Sequence, residues 1–120
     1  MSLEPPMKHQ VPFAALILLT SLLGCSSRRE RERILKQDLF VMRTAIQNYT
    51  LDQKKEPQSL QELVNRRYLN EIPMDPFTRK RDWVPDLDDT VQTPGETTGL
   101  ASVHSNSTEV GSNGSAYTAW

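Results

Sequence analysis

Arg28 to Lys54, RRERERILKQDLFVMRTAIQNYTLDQK, runs without a glycine or a proline. Along it, apolar residues recur at Leu35, Leu39, Met42, Ile46 and Tyr49, in alternating steps of four and three. That spacing stacks side chains on one face of an α-helix and predicts a long amphipathic helix over about 28–54. Ile34, Val41 and Ala45 widen the apolar stripe, whereas Arg31, Asp38, Arg43 and Asn48 fall where solvent is expected. Glu32 and Lys36 have the spacing of a favourable pair four residues apart. The stripe has two readings. It is either the inner face of this chain's own core, or a partner-packing face made of Leu35, Leu39, Met42, Ile46 and Tyr49, with Phe40 and Arg43 forming a second edge toward the partner.

Working outward toward the C-terminus, the stretch from Gln53 to Pro57 breaks the helix. Ser59-Leu60-Gln61-Glu62 then has capping-box spacing, with the Ser59 hydroxyl placed to accept from the Glu62 N–H. A short second helix over 60–67 is expected, turning Leu60, Leu63 and Val64 inward, with Tyr68 and Leu69 packing against the first helix. Pro73 and Pro76 hold 72–77 extended. Asp75 reads as a turn-former and Arg79-Lys80-Arg81 as an exposed tip. Asp82-Trp83-Val84 and Leu100 to His104 are the plausible strands of a small antiparallel sheet within 72–120. Asn113-Gly114 signals a turn, and Tyr117 and Trp120 can fold back as anchors. The expected fold class is therefore α+β: a long N-terminal helix, a short second helix and a small antiparallel sheet.

Working outward toward the N-terminus, Val11 to Leu23 is an apolar run preceded by Lys8 and His9 and closed by Leu22-Leu23-Gly24-Cys25. It is shorter than the roughly 20 residues a membrane-spanning helix needs and has the layout of a signal peptide. The Leu-Leu-Gly-Cys ending resembles the lipobox of bacterial lipoproteins, in which the cysteine is lipid-modified and becomes the first mature residue. Residues 1–25 are accordingly read as a signal peptide with a lipobox-like end, Cys25 as the lipid attachment site and 26–120 as the mature domain. Whether translation starts at Met1 or Met7, and which membrane holds the anchor, stay open. Arg28, Arg29, Arg31 and Arg33 follow the apolar run, and such positive flanks tend to stay cytoplasmic.

Composition narrows the chemistry. Of 120 residues, 37% are hydrophobic, and many of these sit in the N-terminal run, so the mature core draws on a sparse supply. Residues 1–81 hold all 14 Lys and Arg with nine acids, while the rest carries six acids and no base. A basic front half beside an apolar anchor suits an anionic lipid surface, and the balanced total excludes a nucleic-acid binder. His104 is the single histidine outside the N-terminal segment, so neither a nucleophile–base pair nor a zinc site can be assembled; no catalytic residue, cofactor or small-molecule substrate is assigned. Asp86, Asp88, Asp89 and Glu96 form either a calcium-binding loop or a solvated acidic one.

The order of these elements resembles a known family. Lys36-Gln37-Asp38-Leu39, Ala45-Ile46-Gln47-Asn48-Tyr49, Pro57-Gln58-Ser59-Leu60-Gln61-Glu62-Leu63, Tyr68-Leu69 and Ile72-Pro73-Met74-Asp75-Pro76-Phe77 resemble the G-type (major) pseudopilins of type II secretion systems over about Arg31 to Trp83. The resemblance implies a pilin-like fold and a mechanical role without an active site: a membrane-anchored subunit in the cell envelope, facing the periplasm, whose partners are proteins of a secretion or pilus-like apparatus, including copies of itself. Two departures stand out. The prepilin-peptidase site and long apolar stem of pilins are replaced by Pro12-Phe13 and a shorter run ending in the lipobox, and the family's calcium aspartates have no counterpart in Ser102 to Trp120, where Glu109 is the sole acid. A different class also fits: an envelope-anchored binding module on a pilin-like scaffold, unconnected to secretion.

Overall fold

The structure, a computed structural model, describes residues 27–88 and 98–120. The chain divides into the units Met1–Arg31 and Glu32–Trp120. In the first, the described residues open the long helix, with Arg28, Arg29 and Glu30 exposed. The second carries the core.

Helix α1 spans Ser27–Gln53, within a residue of the expected bounds at each end. It ends at Lys54, whose backbone takes a left-handed φ of 62° while its N–H still reaches the Thr50 carbonyl. Helix α2, Leu60–Asn65, begins as its sequence dictates: the extended Ser59 accepts from the Glu62 N–H at 3.2 Å. The Glu62 carboxylate serves a different purpose from the one expected of a capping box. Instead of returning to Ser59 it accepts from the Gln58 N–H and the Tyr49 hydroxyl, at 2.7 and 2.6 Å, binding the two helices together. Two residues short of the expected end, α2 closes in a Schellman arrangement, with Tyr68 N–H on the Leu63 carbonyl, Arg67 N–H on the Val64 carbonyl and Arg67 at φ 68°.

Strands β1 (Val84–Leu87) and β2 (Leu100–His104) pair antiparallel. β2 has the expected bounds, but β1 begins where the expected strand 82–84 ends, because Asp82 accepts from the Thr78 hydroxyl and the Trp83 indole donates to the Pro73 carbonyl, which ties both to the preceding loop. Asp86 pairs with Ser102 and Leu87 with Leu100, which leaves Ala101 as an extra residue on β2. Leu100 and Val103, three apart, would point to opposite faces of a regular strand. The bulge between them turns both into the core, where each is 1% exposed. Several outward backbone groups of this short sheet are occupied or absent. Pro85 has no N–H to offer on β1, the Leu100 N–H is taken by the Pro57 carbonyl, and the Val103 carbonyl, opposite Pro85, accepts from Arg43 Nε and Nη2 at 3.2 and 3.0 Å.

The core is the inner stripe of α1 together with Leu63, Leu69, Trp83, Leu100, Val103 and Tyr117. Each large apolar side chain buried there contributes about 1.5–3 kcal/mol. Two polar posts tie the irregular segments to it. Asp75, fully buried, makes the expected turn by accepting from the Phe77 and Thr78 N–H groups, and its other oxygen accepts from the Ser105 hydroxyl at 2.6 Å. Glu32, also buried, accepts from the Ser112 N–H and hydroxyl and from the Tyr117 hydroxyl. The expected pairing with Lys36 gives way to these contacts, because Lys36 Nζ lies over the Trp120 ring, 5.1 Å from its centroid. The C-terminal anchors fold back: Tyr117 stacks on Phe77 at 3.9 Å and meets Trp120 edge-on. Gly111 permits this, since a Cβ there would stand 2.5 Å from Trp120 Cζ2.

Candidate functional site

The five stripe residues sort themselves first. Leu35, Met42 and Tyr49 are 0% exposed, and Leu39 and Ile46 are 3%. They are not available as a partner-packing face. The small domain has too few other apolar side chains to form a core without them, so β2, α2 and Tyr117 consume the whole stripe. Ala45 joins them, whereas Ile34 and Val41 stay largely exposed on one flank of the helix.

The opposite flank is where a site forms. Phe40, Thr44, Gln47 and Leu51 follow one another at steps of four, three and four, a second seam rotated away from the buried one. Phe40 is 66% exposed and Leu51 69%. Between this flank, β2 and the C-terminal segment runs a groove of about 870 Å³, lined by Phe40, Leu51, Lys36, Arg43, Ala101 and Trp120 among others. Arg43 shapes it. Expected in solvent, its guanidinium instead bridges α1 to the Val103 carbonyl and, at 2.7 Å, to the Trp120 carbonyl, fixing the C-terminal wall against the helix. Phe40 and Arg43 were the expected second edge, and both line the groove. Leu51 and Trp120 are additional; the four-three-four spacing from Phe40 carries the signal for Leu51, but nothing in the sequence locates Trp120 beside it.

His104 Nδ1 lies 2.9 Å from Asp86 Oδ1, a diagonal contact between the two strands. The Tyr49 hydrogen bond holds the Glu62 carboxyl below its ordinary range, and the same bond raises Tyr49. Burial, followed by the charge of Asp75, raises Asp38. Burial, followed by a hydrogen bond with Asp88, raises Glu56 at one end of the groove. Thr78, the first of several donors, lowers Asp82. Among the described residues no three His, Cys, Asp or Glu side chains are placed to hold a metal ion. Of the acidic loop, Asp89 and Glu96 lie outside the described residues, as do residues 1–25, expected to be a signal peptide, and Cys25, the expected lipid attachment site. Among the described residues no helix is long and apolar enough to cross a membrane.

Comparison with protein-family models, with curated proteins and with solved structures gave no match.

Proposed function

We propose that this chain is a non-enzymatic subunit of the cell envelope, lipid-anchored through Cys25, facing the periplasm and resembling the periplasmic domain of a G-type pseudopilin. Its role is accessory to type II protein secretion or to a related pilus-like assembly. The observation that carries this reading is the division of labour on α1: one face is consumed by the chain's own core, and a neighbouring flank presents Phe40 and Leu51 beside an open groove. A subunit that acts by contact needs such a surface and needs no reaction centre. The α+β arrangement, a long helix packed on a small antiparallel sheet, and the run from Lys36 to Phe77 that resembles pseudopilins support the same reading.

A second reading, a membrane-anchored binding module unconnected to secretion, is favoured by the size of the groove, which falls in the range of small-molecule sites. One measurement tests the anchor common to both readings and a second separates them. Intact mass from the native membrane fraction is expected to equal the chain from Cys25 plus acyl groups, and to lose them in a Cys25→Ala variant. Deleting the chain is expected to lower the amount of folded protein released from the cell. Release at the parental level, with the lipid-bearing mass confirmed, leaves the binding module as the surviving reading.

A further inference from the structure

We infer that the groove beside α1 docks an acidic amphipathic helix belonging to a different polypeptide. The inference rests on the reading of this flank as a contact surface and does not depend on how the N-terminus is anchored.

The geometry of the groove selects a helix. Phe40 and Leu51 are three helical turns apart, about 16 Å along the axis, and the lining residues from Lys36 to Leu51 extend over about 22 Å. That length matches a partner helix of about 15 residues lying along α1. An extended strand would need free backbone groups to pair with. β2 offers little of that kind, since its Leu100 N–H and Val103 carbonyl are already taken by Pro57 and Arg43. A helix satisfies its own backbone and needs only side-chain recognition, which Phe40, Leu51 and Trp120 supply as apolar anchors.

Charge selects the character of that helix. The charged residues of α1 that line the groove, Lys36 and Arg43, are both basic. Arg33 stands two turns before Phe40 on the same side of the helix, and Lys54 and Lys55 follow Leu51. The acids Asp38 and Asp52 lie on the other side of α1. At the far end of the groove Glu56 is the one acid among the lining residues, and it lies against Asp88.

The same facts argue against other occupants. The described helices of this chain offer no acidic partner. α1 carries six basic residues and four acids, and α2 has six residues with one acid. A second copy laid face to face would oppose Lys36 and Arg43 to their own counterparts. An acyl chain wants continuous apolar lining, and here Thr44 and Gln47 interrupt the seam between Phe40 and Leu51.

The test places a photo-crosslinking amino acid at position 40 or 51 of the full chain in its native cell and maps the joined peptide by mass spectrometry. Both positions are exposed, so the substitution leaves the core intact. The expected product joins this chain to a different one, through a segment with apolar residues every three or four positions and an excess of Asp and Glu. Lys36→Glu combined with Lys54→Glu is expected to lower its yield about tenfold, while Arg79→Glu on the remote tip leaves it unchanged. A product with this chain's own sequence, a lipid adduct, a partner segment without acidic excess, no product, or a yield indifferent to the lysine reversals each overturns the inference. Because the readout is contact and not secretion, a cell whose secretion survives deletion of the chain can still yield the acidic product, so the two proposals fail separately.

Discussion

Leu39 and Phe40 are neighbours in sequence, and replacing each by alanine separates the two faces of α1. Leu39 is 3% exposed within the core cluster, so Leu39→Ala removes buried methyl groups and leaves a cavity, at a cost of about 2–5 kcal/mol. Phe40 is 66% exposed, and truncating the larger side chain is expected to change stability by no more than about 0.5 kcal/mol. A domain of this size has about 5–15 kcal/mol in total, so the first loss is a large fraction of the whole. Urea unfolding of the full chain, followed by far-ultraviolet circular dichroism, reads both. With a slope of about 1–3 kcal/mol per molar, Leu39→Ala should lower the midpoint by about 0.7 M or more, with Phe40→Ala close to the parent. Equal losses for the two variants, or a larger loss for Phe40→Ala, would refute the assignment of core and contact faces.

Three further outcomes follow from individual contacts. Asp75→Ala leaves the Ser105 hydroxyl and two backbone N–H groups without their acceptor and should cost about 2–4 kcal/mol, seen as a lower melting temperature. Arg43→Lys cannot reproduce a planar donor that serves the Val103 and Trp120 carbonyls together, so a loss of about 1–3 kcal/mol and a change in Trp120 fluorescence are expected. Glu62 is a carboxylate whose folded pKa is lowered, chiefly by Tyr49, so its contribution to stability is present above its ordinary value of 4.5 and is lost as pH falls through the folded value. Tyr49→Phe should therefore flatten the acid side of the stability–pH curve below 4.5, and an unchanged slope would show that Tyr49 does not hold that carboxylate.

The two helices and β2 were legible because local rules govern them, whereas the expected β1 was displaced toward Asp82 because its pairing with β2 is a long-range choice. The unbroken four-and-three spacing marks α1 to within a residue, and Ser59 with Glu62 marks the start of α2. What local rules leave open is who covers a face. Nothing in the spacing of Leu35, Leu39, Met42, Ile46 and Tyr49 says that the covering comes from the same chain; that depends on Leu100 and Val103 being turned to one side by a bulge at Ala101, a three-dimensional event. Arg43 looked solvated because its two carbonyl partners lie 60 and 77 residues away. Glu32 looked like half of a surface pair because Ser112 and Tyr117, its actual partners, are 80 and 85 residues distant. Asp75 could be read as a turn from its neighbours, but its burial under Ser105 could not. The candidate groove was half visible: its helical wall follows from sequence spacing, and its second wall exists only once the C-terminal segment folds back onto Lys36 and Arg43.

The measurement closest to the centre of this account is complementation of a deletion strain with a chain carrying Phe40→Asp and Leu51→Asp, scored by the amount of folded protein released from the cell. Both positions are solvent-exposed, so the variant should accumulate at the parental level with an unaltered unfolding midpoint. Release that stays at the deletion level, with the variant protein folded and present, is the expected result. Release restored in full by that same variant would contradict the claim that this flank of α1 is the surface through which the chain acts.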